Sequence, residues 1–437
     1  MIKLNLEKFS NKKIEEPVKI FYKFDAKLKK ALKELEKINN SKKILSDWLD
    51  SSKKVDTEMV KKVMKISTEL KNLYIEDVIL IGQKNLIAGP MAMVETLGKS
   101  EINNINFHYI SDLSNKLINN LNDGVINLSN FAIIVIEDSN SSLETDVNLR
   151  NFYQILVDKV GVERANQQVV VIGKSNNQNI WKLVEKYQWK NFSLKVDVKT
   201  KYSALTPLFL LPMQLASINI KEFIIGIIES NSDTKNKSTM QNSCYQYAVI
   251  KSHFHSSYGS QLELITIYDE SLLSITKLFE TIMNDFTPKK KLMSSLASNC
   301  VTLCLEYSDN QIFKTQQKMF FETAFILKRK EQFDNLVSDP FLDLEDKGYN
   351  KNWKLSEILK SIENVTIEEN TKMNHVPSLI IELDEIKPKS IGYMYGWFIK
   401  SNIINLILRG INPFELTENV SLYQNILDDL KKNSESL

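Results

Sequence analysis

Glycine and histidine are both scarce in this sequence, which has 12 glycines and 4 histidines among its 437 residues. Average usage of about 7% would give about 30 glycines. Glycine allows positive φ angles and lets the backbone approach a ligand closely. Because glycines are few, few glycine-rich ligand-binding loops are expected. Lysine, asparagine and isoleucine are used heavily. An AT-rich genome would produce this bias and accounts for part of the glycine deficit.

Cysteine and long apolar runs are also in short supply. The cysteines are Cys244, Cys300 and Cys304, a sparse, odd-numbered set that excludes a disulfide framework and suits a reducing compartment. The segment Met1–Lys13 lacks the apolar core of a signal peptide. The longest apolar run, Leu208–Ala216, falls well short of the about 20 residues that span a bilayer. We therefore expect a soluble, cytoplasmic protein without membrane insertion.

Charge of either sign is nearly balanced, with 56 basic and 54 acidic residues and a formal net charge of +2. A dedicated nucleic-acid binder usually carries a strong basic excess, so no nucleic-acid partner is expected. Hydrophobic residues make up 43% of the chain, and charged residues 25%. These proportions are ordinary for a folded protein, and the length is sufficient for two domains.

Two pairs of residues are candidate metal ligands, Cys300 with Cys304 and His253 with His255. The cysteines lie on a predicted strand, and two residues spaced by two on a predicted helix point to different faces. Structural zinc sites usually have tighter ligand spacing. No metal and no other cofactor is therefore predicted.

Short β-branched runs, each followed by a loop and a helical segment, dominate the first half of the chain. The runs are Asp77–Gly82, Phe131–Ile136 and Gln168–Gly173. This alternation predicts a parallel sheet with helical crossovers. Before it, Phe21–Ile38 and Thr57–Leu70 have apolar residues at helical spacing.

A second set of strands is predicted at Leu262–Ile267, Asn299–Leu305 and Ser378–Leu383. The helix Tyr393–Leu408 and a helical tail at Leu422–Lys432 follow. The fold class is therefore α/β. The predicted domains are a helical N-terminal segment (1–70) that packs on the large domain, a first α/β domain (71–217) and a second α/β domain with a C-terminal helical tail (218–437).

The segment Asp197–Pro212 reads Asp-Val-Lys-Thr-Lys-Tyr-Ser-Ala-Leu-Thr-Pro-Leu-Phe-Leu-Leu-Pro. It resembles the signature of the glucose-6-phosphate isomerase family, Asp-x-Gly-Gly-Arg-Tyr/Phe-Ser-x-Leu-Thr/Ser-x-x-Gly-Leu-Leu-Pro. Further segments resemble family motifs in the family's order along the chain. They are Ile81–Leu97, Phe131–Arg150, Phe321–Thr323, Gly392–Tyr395 and Gly410–Phe414.

The resemblance implies two sugar-isomerase-type (SIS) α/β/α sandwich domains with parallel central sheets and helical N- and C-terminal extensions. It also implies a homodimer, because family active sites are completed by the neighbouring subunit. The family reaction moves a proton between C1 and C2 of a sugar phosphate. That chemistry needs a phosphate cradle, a carboxylate base, a cation and groups that open the ring.

The family's first glycine loop, Gly-Ile-Gly-Gly-Ser-Tyr-Leu-Gly, corresponds here to Gly82-Gln-Lys-Asn-Leu-Ile-Ala-Gly89. Lys84 and Asn85 replace the middle glycines, so side chains narrow the space for a ligand. Because asparagine tolerates left-handed backbone angles, Asn85 is compatible with the turn of the family's loop.

The family's phosphate loop, Ser-Lys-Ser-Gly-Thr-Thr-Thr-Glu, corresponds to Glu137-Asp-Ser-Asn-Ser-Ser-Leu-Glu144. Hydroxyls and the final glutamate are kept, but Glu137 and Asp138 place two carboxylates where a phosphate dianion would be repelled. The alternative is an ordinary helix N-terminus with serine caps. The candidate substrate-binding residues are Ser139, Ser141, Ser142, Glu144 and Lys201.

The resemblance also implies positions for the catalytic groups, and none is intact. The family base position falls on Thr315, the lysine position on Gln424 and the arginine position on Lys201. A threonine hydroxyl is too weakly basic to remove a carbon-bound proton, and lysine lacks the planar fork of arginine. Glu306 and Asp309 lie nearby in sequence as candidates for a relocated base.

These losses predict a pseudoenzyme, a non-catalytic homologue with a structural or protein-interaction role. Other cytoplasmic structural proteins, in a cytoskeletal or motility assembly, would be its partners, and Asn231–Ser243 is one candidate contact segment. Two alternatives stay open, a divergent but active glucose-6-phosphate isomerase and a sensor that binds a sugar phosphate without turnover.

Overall fold

The structure of the chain is a computed structural model with two compact units. It describes residues 2–9, 15–41, 56–98, 105–113, 119, 128–139, 142–195, 202–235, 238–258, 262–284, 296–301, 320–328, 354–372, 375–414, 426 and 428–429. The first unit consists of the described residues within Lys53–Ile220 and Asn412–Leu437, and the second of those within Met1–Lys42 and Lys221–Ile411. The predicted division at residues 70 and 217 stays a prediction. The N-terminal residues group here with the second unit.

The strands are β1 (Ile2–Asn5), β2 (Asp77–Gly82), β3 (Asn106–Ile110), β4 (Phe131–Glu137), β5 (Val169–Lys174), β6 (Lys190–Leu194), β7 (Leu262–Ile267), β8 (Leu296–Val301), β9 (Phe320–Leu327) and β10 (Ser378–Leu383). The helices are α1 (Pro17–Ser41), α2 (Thr57–Asn72), α3 (Lys84–Leu97), α4 (Leu143–Val160), α5 (Val162–Gln167), α6 (Gln178–Tyr187), α7 (Pro207–Leu215), α8 (Ile220–Asp233), α9 (Ser243–Tyr258), α10 (Leu273–Asn284), α11 (Leu355–Lys372) and α12 (Pro388–Leu408).

The sheet of the first unit is parallel throughout, in the order β3-β2-β4-β5-β6. Every residue of β2, β4 and β5 is buried, because layers cover both faces of the sheet. Alternate strand residues such as Ile79, Ile133 and Val171 pack with Phe152 of α4 and Ile180 of α6. Burial on both faces explains why these strands read as unbroken apolar runs in the sequence.

The sheet of the second unit has the order β1-β10-β9-β7-β8. Its strands are parallel except β1, which pairs antiparallel with β10 at the edge, Ile2 opposite Leu383. The α/β fold class and the parallel central sheets are confirmed. The edge strand β1 is an addition that the alternating sequence Ile2–Asn5 alone did not indicate.

Two helices of the second unit, α8 and α12, meet at a pair of glycines. A Cβ atom on Gly226 would lie 2.0 Å from the carbonyl oxygen of Lys389, and one on Gly392 would lie 2.2 Å from that of Phe223. These backbones can therefore touch only because both positions lack a side chain. The helix α12 is buried from Ser390 to Ile407, which makes it the central helix of this unit.

The predicted helix Pro90–Leu97 begins six residues earlier, at Lys84. Gln83 has extended backbone angles and precedes the first turn, so the residues that replace the family's glycines lie inside a helix. The predicted strand Asn299–Leu305 is observed as β8 and ends at Val301, where the described residues stop. Most of the predicted tail Leu422–Lys432 lies outside the described residues. Among the helices that are described, none combines the length and apolarity needed to cross a membrane.

Candidate functional site

The chain order of the first unit's sheet reverses between β2 and β4. From β2 the chain moves outward to β3, and it then returns to the other side of β2 to form β4. In open parallel sheets, ligands bind outside the carboxyl ends of the strands at such a switch point. The carboxyl ends are Gly82 on β2 and Glu137 on β4, with Lys174 at the end of the adjacent β5.

The junction between β4 and α4 supplies backbone N–H groups to this point. Ser142 is the N-cap of α4, and its hydroxyl oxygen accepts a hydrogen bond of 3.1 Å from the Thr145 amide. The hydroxyl oxygens of Ser142 and Thr145 also lie 2.9 Å apart. Because the first amides of a helix lack intrahelical partners and carry partial positive charge, this end of α4 favours an anion.

Glu137, the last residue of β4, is only 3% exposed. Its Oε2 atom lies 3.4 Å from the Asn177 amide nitrogen, which donates to it. Its Oε1 atom has no hydrogen-bond partner among the atoms that the structure describes. Burial, reinforced by the charges of Asp146 and Asp138, raises the pKa of the Glu137 carboxyl to about 9, although the Ser142 amide and Thr145 hydroxyl oppose the shift. Glu137 is therefore uncharged at neutral pH.

The second carboxylate of the loop, Asp138, has a cationic neighbour. The Lys174 ammonium lies 3.5 Å from Asp138 Oδ1, and the Lys174 side chain is almost fully buried. The Asn177 amide also donates to the Asp138 carbonyl oxygen at 2.9 Å. The repulsion expected from two adjacent carboxylates is therefore reduced, because burial raises the pKa of Glu137 and Lys174 offsets the charge of Asp138.

The predicted substrate-binding residues are only partly covered by the structure. Ser139, Ser142 and Glu144 lie together at the β4–α4 junction, where the Ser139 amide donates to Asp138 Oδ1 at 2.8 Å. Glu144 is in the first turn of α4, where a negative charge complements the helix dipole. The remaining predicted site positions lie outside the described residues and stay predictions: Ser141, Lys201, Thr315 and Gln424.

Lys174 and Asn177 belong to the site but were not singled out from the sequence. Both follow the third apolar run, at the carboxyl end of β5. The rule that selects Glu137, a polar residue directly after a buried parallel strand, also selects Lys174. That signal was available in the sequence.

The histidines of α9 have separate neighbours. His255 Nε2 lies 3.2 Å from the Arg409 guanidinium, and His253 Nδ1 lies 3.1 Å from the Ser257 hydroxyl. Within the described part of the chain, no three His, Cys, Asp or Glu side chains are grouped as metal ligands would be. Cys304 lies outside it.

Proteins similar to this chain over most of its length are named glucose-6-phosphate isomerase. One from Mycoplasmopsis pulmonis (strain UAB CTIP) is 24% identical over 400 residues, which cover 89% of this chain and 92% of the relative. A second, from Mycoplasma mobile, is 26% identical over 284 residues, or 65% of each chain. These similarities support a distant relationship to the glucose-6-phosphate isomerase family. No family model matches it.

Solved structures agree on the fold. The glucose-6-phosphate isomerase of Chlamydia trachomatis superposes with a TM-score of 0.68 and 14% identity over 88% of this chain and 74% of that one. A hypothetical protein of Thermus thermophilus, TT0462, superposes with a TM-score of 0.85 and 18% identity over 98% of this chain and 99% of that one. The predicted sugar-isomerase-type α/β/α fold is confirmed.

The prediction that this glucose-6-phosphate isomerase relative is not an enzyme is wrong. The two relatives from Mycoplasmopsis pulmonis and Mycoplasma mobile carry the name of an enzyme, and neither name points to a structural or cytoskeletal role. The prediction rested on the family's catalytic positions at Thr315 and Gln424, which lie outside the described residues. It also rested on repulsion at the candidate phosphate loop, which the raised pKa of Glu137 and the Lys174–Asp138 contact reduce.

Proposed function

We propose that this chain is a divergent glucose-6-phosphate isomerase that interconverts glucose 6-phosphate and fructose 6-phosphate as a cytoplasmic homodimer. The main support is the β4–α4 junction at the switch point of the sheet. There the N-terminus of α4 follows Asp138, whose negative charge is offset by Lys174. Similarity to isomerases along 89% of the chain supports the same activity.

The phosphate group of the substrate would bind at the N-terminus of α4. The phosphate would take hydrogen bonds from amides of the first turn and from the hydroxyl groups of Ser139 and Ser142, which now contact Asp138 and Thr145. Lys174, which is held at the carboxyl end of β5 beside Asp138, adds positive charge. A helix N-terminus with a nearby ammonium suits a phosphate monoester, which carries between one and two negative charges at neutral pH.

The chemical step needs a base that removes the proton from C2 of the open-chain aldose and returns it to C1. Negative charge then develops on the sugar oxygens, and a cation stabilises it. Lys201 stands at the position of the family's arginine and would supply that cation. Because Thr315 cannot act as the base, we assign this role to a carboxylate nearby in the sequence, Glu306 or Asp309, both of which lie outside the described residues.

A coupled assay tests the proposal. The full chain, purified from a host that lacks its own glucose-6-phosphate isomerase, is given fructose 6-phosphate together with glucose-6-phosphate dehydrogenase and NADP⁺. We expect steady NADPH formation at a rate proportional to the amount of the chain. A folded preparation that shows no turnover would contradict the proposal, and sugar-phosphate binding in that preparation would favour the sensor alternative. Size-exclusion chromatography checks the dimer.

A further inference from the structure

We propose that a cavity at the amino ends of β2 and β5 binds a nucleoside monophosphate. The cavity has a volume of about 670 Å³ and lies in the first unit, with walls from the turn before β2 and from α5. This volume is typical of small-molecule sites, which range over about 300–1,000 Å³. Because β2, β4 and β5 are parallel, these amino ends lie at the edge of the sheet opposite the candidate substrate site. A ligand there would be separate from the sugar phosphate of the proposed function.

Two exposed apolar side chains line this cavity. Tyr74 is 83% exposed and Val162 is 52% exposed. Leu73 and Val160 add partly buried apolar surface to the same cavity. Every nucleobase has a flat face that stacks on an aromatic side chain, so an exposed tyrosine beside an apolar wall suits a base.

The backbone that carries Tyr74 is held in place by side chains from other elements. Its φ angle of 56° is in the left-handed region, which is uncommon for a bulky residue. The Asn130 amide donates to the carbonyl oxygens of Leu73 and Tyr74 at 2.8 and 2.7 Å. Arg164 Nη2 donates to the Leu73 oxygen at 3.0 Å, and the Gln168 amide donates to Asn130 Oδ1 at 2.8 Å. The turn is therefore ordered before a ligand binds, which lowers the entropy loss of binding.

Arg164 gives the cavity a positive charge. In the part of the chain that the structure describes, its guanidinium donates to the Leu73 oxygen and has no carboxylate within ion-pair distance. A guanidinium has five N–H donors in a planar fork that matches the oxygens of a phosphate group. The donors that do not bind Leu73 can therefore bind a phosphate.

Glu163 precedes Arg164 on α5 and also lines the cavity. Adjacent side chains on a helix do not face each other, so this carboxylate and guanidinium can contact different parts of one ligand. A carboxylate accepts hydrogen bonds from ribose hydroxyl groups, as it does in dinucleotide sites. One cation beside one carboxylate suits a single phosphate group, because the carboxylate would repel further phosphates. The cavity thus offers partners for the base, the ribose and one phosphate.

Calorimetric titration of the full chain with adenosine monophosphate (AMP) tests the proposal, with adenosine and ribose 5-phosphate as ligands that carry only part of the structure. We expect AMP to bind with a dissociation constant below about 1 mM, and more tightly than either fragment. Tyr74→Asn removes the ring, and asparagine tolerates the left-handed backbone. The dissociation constant of AMP should then rise about 5- to 150-fold, because stacking is lost. Tyr74→Phe keeps the ring and should bind AMP as wild type does.

Tyr22→Asn is the matched control for the loss of an exposed tyrosine. Tyr22 is 72% exposed on α1, in the second unit, so this change should leave AMP binding unchanged.

Arg164→Gln tests the phosphate contact. The new amide can still donate to the Leu73 oxygen, but the positive charge is gone. We expect AMP binding to weaken by about tenfold or more, while adenosine binding stays within about twofold of wild type. A loss of local structure would instead weaken both ligands, so a parallel loss would contradict the assigned phosphate contact.

Four results would overturn the proposal. They are no detectable AMP binding to wild type, unchanged AMP affinity in either Tyr74→Asn or Arg164→Gln, ribose 5-phosphate binding as tight as that of AMP, and complete displacement of AMP by glucose 6-phosphate. Displacement would place AMP at the candidate substrate site. None of these measurements needs isomerase turnover, so failure of the proposed function would leave this test intact.

Discussion

Lys251 and Glu263 form an ion pair of 2.6 Å inside the second unit, and both side chains are almost completely buried. Lys251 lies on α9 and Glu263 on β7. The Tyr247 hydroxyl donates to Glu263 Oε1 at 2.5 Å, and the Thr323 hydroxyl donates to the same atom at 2.7 Å. Burial lowers the pKa of Lys251, and Glu263 opposes that shift. The carboxylate thus receives donors from two elements, α9 and β9.

Removal of one partner of this pair should be costly. Lys251→Met leaves Glu263 charged and buried without its cation, so we expect a loss of about 3–5 kcal/mol in the free energy of unfolding. Denaturant titration followed by circular dichroism measures it. The control is Lys389→Met, which breaks the more exposed pair with Glu229 and should cost less than about 1 kcal/mol. Equal losses for both variants would contradict the prediction.

The glycine contact between α8 and α12 predicts a steric effect. Gly226→Ala and Gly392→Ala each place a methyl group within 2.2 Å of a backbone carbonyl oxygen, so the helices must separate. We expect each change to cost about 1–3 kcal/mol or more. Thermal denaturation checks this. The matched change Gly173→Ala, whose Cβ would meet its nearest neighbours at 3.6 Å, should cost less; a similar loss there would refute the steric explanation.

The raised pKa of Glu137 predicts a pH-dependent stability. The folded state holds this proton up to about pH 9, whereas the ordinary value is 4.5, so stability falls as pH rises through that window. The full shift corresponds to at most about 6 kcal/mol. The free energy of unfolding of Glu137→Gln is compared with that of wild type at each pH. We expect this difference to favour the variant by about 2–5 kcal/mol more at pH 9 than at pH 5. Denaturation midpoints at both pH values measure this, and an equal difference at both would show that Glu137 is ionised in the folded protein.

The proposed relocation of the base predicts which carboxylate matters. Glu306→Gln or Asp309→Asn should lower kcat by about 10²–10⁴ while leaving KM almost unchanged, because the base acts on the bound substrate. Thr315→Ala is the control and should retain most of the activity. Steady-state kinetics in the coupled assay check this prediction. Full activity in both carboxylate variants would place the base elsewhere in the chain.

Strands buried on both faces were the part of the fold that the sequence predicted best. The bounds of β2, β7 and β10 agree with their apolar runs, because complete burial in a parallel sheet demands apolar residues at most positions. The edge strands β1 and β6 were not predicted. Their sequences mix polar and apolar residues, and hydrogen bonds to a neighbouring strand decide their conformation.

The sequence predicted the strand–helix junction that holds the candidate site, but not its charge environment. As expected, Glu137 ends β4 and Glu144 lies in the first turn of α4. The sequence could not show that Glu137 is buried, or that Lys174 and Asn177 approach the loop from more than thirty residues away. The local spacing of residues carries no information about such contacts.

The sequence alone determined the α/β class and the family resemblance, and it predicted Glu137–Glu144 as the phosphate loop, since each depends on the local order of residues along the chain. The tertiary structure decided the charge environment of Glu137 and Asp138 in that loop. Desolvation raises one pKa and a cation from another strand compensates one carboxylate, and both effects exist only after the chain has folded.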